Sequence, residues 1–263
     1  MLKLERTMRQ DIKVGIITAC YNGGRYMEEY INGIMSQTYK PTHCAIVDDN
    51  STDNSWYQIV KFIGKRSGKS ISPNEFQIEL KFNGIIFRLK RLKKNGGPSK
   101  ARNEAIKLLY NDVEIFAVYD IDDWYKPEKI EKSLIAMSEN PHAGLIYSDY
   151  SVYNEANDTL TREYKEPFDY NRLVQECIVS NNSIYTKNVL DKIGLYDESI
   201  RGPEDYDMWL RMAEKCMIYH VPEDLYTYRV SGENLTIKTD SKEFAKQVQK
   251  VKNKIAERQN ARS

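Results

Sequence analysis

Asp120-Ile121-Asp122-Asp123 puts three carboxylates within four residues. Alternate residues of an extended segment point the same way, so Asp120 and Asp122 can share one side. Two carboxylates so placed make an oxygen-rich site suited to Mg²⁺ or Mn²⁺. A cation of that kind neutralises charge on phosphate oxygens. The competing reading is a polar turn before the helix that Pro127 opens. Asp48-Asp49-Asn50-Ser51-Thr52-Asp53 is a second acidic run. Adjacent carboxylates at a strand end are costly unless paired, hydrogen-bonded or ligated. A helix starting just behind them softens that cost through its dipole. A plain helix cap, with Ser51 or Thr52 as the capping residue, explains the run as well.

Two further constellations open helices. Asn95-Gly96-Gly97-Pro98-Ser99-Lys100-Ala101-Arg102-Asn103 carries glycines before a helix N-terminus. Glycines there let the backbone approach a ligand and aim free N–H groups at an anion. Arg102 sits about one turn inside, within reach of a nucleotide; a simple Gly-Pro turn is the alternative. Gly202-Pro203-Glu204-Asp205-Tyr206-Asp207 puts three acids into a first helical turn. They can be dipole complements. One of them can also be a general base, raised toward working pH by burial or by a neighbouring carboxylate.

The elements that must hold these groups follow from periodicity. Val14 to Thr18, Cys44 to Val47, Gly84 to Leu89 and Ile115 to Tyr119 read as strands. Between them run helical stripes: Met27, Tyr30, Ile31, Ile34 and Met35; Trp56, Ile59, Val60 and Ile63; Ala105, Ile106 and Leu109. The alternation predicts an α/β domain with a mostly parallel central sheet flanked by helices. In such sheets ligands sit beyond the carboxyl ends of the strands, where both acidic runs fall. The back half is less regular. Gly144 to Tyr147 and Ser183 to Tyr185 read as strands, and the polar, Tyr-rich stretch from Asp149 to Asn171 as a loop or lid. A helix is expected over Pro203 to Ala213 and an amphipathic one over Ser241 to Ser263. This gives one domain over 1–236 and a C-terminal amphipathic helix over 237–263.

Composition narrows the function. The chain has 39 Lys+Arg against 38 Asp+Glu, a net charge of +1, without the basic excess of a nucleic-acid binder. One segment departs from this balance: Lys61 to Lys94 holds ten basic residues and two acidic ones. Its middle, Arg66 to Lys81, reads as a surface loop, and the segment as a whole is either a solvated loop and strand edge or recognises phosphate or an anionic acceptor. The four cysteines are scattered without C-x-x-C spacing, which favours reduced thiols in the cytoplasm. Three histidines, none at ligand spacing, argue against a His-rich metal centre. Met1 to Asp11 shows no apolar signal segment, and no apolar run reaches the ~20 residues of a membrane span.

In order and spacing the set resembles the inverting family 2 glycosyltransferases of the GT-A (Rossmann-like) fold. The likeness runs from Lys13 to Thr236. It rests on Thr18-Ala19-Cys20-Tyr21-Asn22, Ser36-Gln37-Thr38-Tyr39, Asp48 to Asp53, Gly96 to Asn103, Asp120 to Asp123 and Glu204-Asp205-Tyr206-Asp207. The resemblance implies a nucleotide-diphosphate sugar donor, a UDP-sugar, and an acceptor hydroxyl on a cell-surface glycan or glycolipid. Thr18 and Tyr21 would line the base pocket, Asp49 would accept from the base, and Gly97 and Arg102 would lie along the nucleotide. Asp120 and Asp122 would touch the ribose and the Mn²⁺ or Mg²⁺ that holds the diphosphate. Asp205 would be the catalytic base, with Glu204 orienting it or the acceptor. Trp124 and Asp123 would face the acceptor, and Trp209 is either a sugar platform or core.

Two positions depart from the family pattern. Ala19 stands where members often carry Pro. Ser231 stands where they often carry a metal-side His, which leaves Asp122 with the diphosphate and water. The basic C-terminal helix would either pack on its own domain or lie on an anionic membrane surface at the inner face of the membrane. Rival readings are an aspartate-dependent phosphatase, a nucleotidyltransferase, and a non-catalytic glycan- or nucleotide-binding module. Oligomeric state is not encoded in any of these motifs.

Overall fold

The computed structural model describes residues 12–232, 234 and 238–260. The reading of Met1 to Asp11 and the boundary between Thr236 and Ile237 lie outside them. Among the described residues a ten-stranded sheet runs in the order β3 (Gln77–Phe82), β4 (Ile85–Arg91), β2 (His43–Asp48), β1 (Val14–Cys20), β5 (Ile115–Val118), β9 (Ile184–Thr186), β7 (Ala143–Asn154), β10 (Met217–Val230) and β6 (Trp124–Tyr125), with β8 (Thr159–Glu163) paired to β7. Its centre is built from β1 (Val14–Cys20), β2 (His43–Asp48) and β5 (Ile115–Val118). Each is an almost unbroken apolar run, as expected for strands covered on both faces. They are mutually parallel, with Ile16 opposite Cys44 and Ile17 opposite Val118. Their carboxyl ends therefore open on one edge, carrying Tyr21, Asp49 and Asp120.

Strand alternation splits the interior in two. Ile17, Val47 and Val118 face one core with α3 (Pro98–Leu109), α7 (Glu204–Ala213) and α8 (Ser241–Asn260). Ile16, Ile46 and Ala117 face the other, with α1 (Met27–Ser36), α2 (Ser55–Arg66) and α4 (Lys129–Glu139). Pro98 occupies the first turn of α3, as its fixed φ favours. Helix α8 joins the first core through Val251 and Ile255, which are 0% and 2% exposed. It thus packs on its own domain.

The expected α/β architecture, a central sheet flanked by helices, is present with mixed strand directions, and two local readings within it need correction. The sheet is mixed: β4 (Ile85–Arg91), β2, β1 and β5 run parallel, as do β7 (Ala143–Asn154) and β10 (Met217–Val230). The pairs of β3 (Gln77–Phe82) with β4, β5 and β7 with β9 (Ile184–Thr186), and β10 with β6 (Trp124–Tyr125) are antiparallel. The stretch after Asp149 is no plain loop. β7 continues to Asn154 and forms a hairpin with β8 (Thr159–Glu163), after which α5 (Tyr170–Gln175) begins. Likewise Gln77–Phe82, inside the basic segment, is the edge strand β3 rather than loop. Its Ile78 and Leu80 alternate inward, but the pattern is too short to stand out by itself. A short α6 (Lys187–Ile193) completes the set.

Candidate active site

The strand ends and the first turns of α3 and α7 enclose a cleft of about 550 Å³. Asp49, Asp122 and Asp205, distant in sequence, all line it, together with Tyr21, Gly97, Arg102, Asp120 and Glu204. Its size suits an organic ligand of drug or cofactor dimensions.

On one side Asp49 meets the start of α3. Its two carboxylate oxygens accept the N–H groups of Gly96 and Gly97, each at 2.8 Å. Gly97 has φ +85°, a backbone state that favours glycine, and this aims its amide at the carboxylate. Burial raises the Asp49 pKa, and the two glycine bonds work against it. Each oxygen keeps lone-pair capacity for a further donor. Tyr21 is 50% exposed and offers a ring to the same cleft. The neighbouring Asp48 has a structural task. It is fully buried, pairs with Arg91 at 3.2 Å and takes the Ser51 hydroxyl and N–H. Ser51 and Thr52 therefore do not cap α2. Asn54 is the capping position, and Asp53 accepts the Ser55 N–H at 2.9 Å.

Arg102 ties the centre together. One terminal nitrogen donates to Asp120 at 2.9 Å; the other reaches Glu204 at 3.0 Å and Asp205 at 3.4 Å. Asn181 donates to the second Asp120 oxygen at 3.2 Å, and Gly202 N–H to the second Glu204 oxygen at 2.9 Å. A buried guanidinium needs such pairing, and three acids this close need such a cation. Asp205 is still perturbed. Burial raises it to about 7, Arg102 opposes the rise, and Glu204 and Asp120 add to it. A carboxylate poised there can take a proton from a hydroxyl near neutral pH.

Asp122 shows the cation question. Burial, then the charge of Asp120, raises it to about 6. That crowding is relieved when a hard cation binds, and carboxylate oxygens are suitable donors. Among the described residues no three His, Cys, Asp or Glu side chains converge to hold a metal by themselves. Asp120, expected as a second ligand, lines the same cleft and accepts one donor on each oxygen, from Arg102 and Asn181. The residues thus fit a cation held by Asp122 with oxygens of a bound phosphate and water, as Mg²⁺ sites often are. The Asn234 amide donates to Asp122 at 3.3 Å, and its oxygen accepts the Ser231 N–H at 2.8 Å.

Other expected residues are placed elsewhere. Thr18 does not line the cleft. It lies on the α1 face of β1, where its hydroxyl bonds Tyr30 at 2.5 Å and the Tyr119 carbonyl at 2.7 Å. Asp123 is 2% exposed and accepts the Arg229 N–H at 2.9 Å, so it does not face an acceptor. Trp124 has the Arg229 guanidinium 4.0 Å from its ring and Tyr153 against its edge, and it does not line the cleft. Trp209 is fully buried core. Sequence reasoning missed Tyr150, Asn181, Arg201, Tyr228 and Asn234 on the cleft wall. Only Asn181 had a signal: Ser180 to Ser183 is an uninterrupted polar run directly before the apolar β9.

Comparison with known proteins gives a consistent picture. The family model described as glycosyl transferase family 2 matches residues 15–194. An uncharacterized glycosyltransferase of Rickettsia typhi is 29% identical over 236 residues, covering 85% of this chain and 65% of its own length. Chondroitin synthase of Pasteurella multocida is 23% identical over 226 residues, 86% of this chain but 21% of that protein. The chain therefore spans under two thirds of both. Among solved structures, S. aureus TarS in complex with UDP-GlcNAc aligns with TM-score 0.69 and 20% identity, over 91% of this chain and 65% of that one. Mannosyltransferase PcManGT from Pyrobaculum calidifontis, in complex with GDP-Man and Mn²⁺, aligns with TM-score 0.61 and 15% identity, over 89% and 64%. At such identities the structures establish a shared fold.

Proposed function

Since this chain belongs to glycosyl transferase family 2, we propose that it is a cation-assisted inverting glycosyltransferase. It moves a sugar from a nucleoside-diphosphate donor, UDP-linked, to a hydroxyl of a cell-surface glycan or glycolipid. The observation that carries this reading is Asp205, poised near neutrality in the same cleft as Asp49 and Asp122. Tyr21, Asp49 and Gly97 form the base side of the donor pocket. The bond from Arg102 holds Asp120 next to the ribose, and Asp122 holds Mn²⁺ or Mg²⁺ with the donor diphosphate. When bound, that cation screens the charge that builds on the leaving diphosphate.

Asp205 then removes the proton from the acceptor hydroxyl, whose oxygen attacks the anomeric carbon opposite the departing nucleotide. Glu204, fixed by Arg102 and Gly202, keeps Asp205 aimed. The placement of one base and one separate cation carboxylate supports this division of labour. Family membership sets aside the phosphatase and nucleotidyltransferase readings, and retention of every carboxylate speaks against a non-catalytic module. Among the described residues no helix is long and apolar enough to cross a membrane. A cytoplasmic enzyme meeting a lipid-linked acceptor at the inner membrane face fits this reading.

Asp205→Asn tests it. Transfer should fall about 10²–10⁴-fold, the usual worth of a positioned general base, while UDP affinity measured by calorimetry stays at the wild-type level. Full transfer activity in this variant would refute the assignment.

A further inference from the structure

The segment that delivers Glu204 and Asp205 is gripped from outside by α8, residue by residue. Phe244, Gln247, Lys250 and Lys254, one per turn, meet Gly202, Arg201, Ser199 and Asp197 in antiparallel order. The Phe244 ring lies so close over Gly202 that a Cβ there would come within 3.0 Å of it. Gln247 accepts the Arg201 N–H at 3.4 Å. Lys250 donates to the Ser199 carbonyl at 2.8 Å and to its hydroxyl at 3.1 Å. Lys254 pairs with Asp197. From beneath, α3 holds the same segment. Asn103 exchanges two 2.9 Å bonds with the Tyr196 backbone, and Lys100 pairs with Glu198 at 3.3 Å.

Anchoring of α8 itself does not need all of these contacts, because Val251 and Ile255 already bury it. The contacts of Phe244 and Gln247 fall on the two residues before Pro203. Gly202, held at φ +97°, donates its N–H to Glu204, and Glu204 shares Arg102 with Asp205. A continuous path of contacts thus joins the α8 ring to the proton acceptor.

We propose that α8 is a positioning element for the reaction: Phe244 and Gln247 fix the backbone of Arg201 and Gly202 and so set where Asp205 sits in the cleft. The proposal rests on Asp205 being the base. Such leverage can be large, since a shift of about 1 Å at a reacting group can cost about 10²-fold.

Phe244→Ala combined with Gln247→Ala, made in the full chain, tests it by two readouts. Hydrogen exchange of the amides in residues 196–206 should speed up about tenfold, while β1 and β5 keep their protection. UDP affinity with Mn²⁺ should stay at the wild-type value and KM should hold, whereas kcat for transfer should drop about tenfold or more. Phe244→Tyr, which keeps the ring, should restore kcat. Unchanged exchange in 196–206 would overturn the proposal. So would an unaltered kcat in a variant whose turn exchanges faster, or a uniform loss of protection and of UDP binding across the protein. A wild-type protein that binds UDP yet transfers no sugar would instead refute the reading of Asp205, and the exchange comparison would still decide whether α8 holds the turn.

Discussion

Asp205 and Asp122 show how neighbours assign different work to the same side chain. Burial lifts both, yet Asp205 shares a guanidinium with Glu204 whereas Asp122 is crowded by Asp120. If Asp205 must be ionised to act, kcat should climb as pH rises through about 7 and level off above it. The sign for stability is opposite. The folded protein holds the Asp205 proton over a range, from about 4 to about 7, in which the unfolded chain has lost it. Stability from this group therefore falls as pH rises across that window. A pH–rate profile alongside thermal melts at matched pH would reveal both trends; a flat rate between pH 5 and 8 would count against the assignment. For Asp122→Ala the expected outcome is UDP binding that no longer responds to Mn²⁺ in calorimetry. An unchanged Mn²⁺ enhancement would move the cation elsewhere. Residue type and spacing marked these carboxylates in advance. Strand alternation sends Thr18, next after Ile17, toward Tyr30 and away from the cleft, which its residue type alone does not reveal.

Among the elements, α3 and α8 matter most for the cleft. Pro98 and Gly97 define where α3 starts, and this start supplies the amides that hold Asp49. Both residues were visible in the sequence because their backbone demands are local. Helix α8 was visible as a 3–4 stripe, but not its partner, since an apolar stripe does not say which surface it covers. The structure seats it beside Trp209 and Leu210 in the first core. Ile255→Ala should therefore cost about 2–5 kcal/mol, the usual range for emptying a buried aliphatic site, and lower the melting temperature accordingly. A melting point identical to wild type would mean that the helix leaves the domain in solution.

At the scale of the molecule, the front half of the fold was readable and the back half only partly so. Strands β1, β2 and β5 are buried on both faces and read as continuous apolar runs, while α1, α2 and α3 between them show clean stripes. Past Asp149 β7 carries half-buried Tyr150, Val152, Tyr153 and Asn154 around a buried Ser151, and β8 is exposed throughout. The pairing of β7 with β9 and β10 joins residues far apart in the chain, so no local period betrays it. The cleft was legible where several acids cluster. It was not where one residue arrives alone on a loop, as with Arg201 and Asn234.

The guanidinium of Arg102 joins chain positions on both sides of the exposed hairpin tip at Ala156 to Asp158. Nicking the backbone at that tip would yield one fragment with the cation and Asp120, and another with Glu204 and Asp205. The second fragment would carry two acids without a counterion, and would find it in the guanidinium of the first. The cleft is thus a seam that splices two halves of the polypeptide, a site for fragment complementation as much as for chemistry.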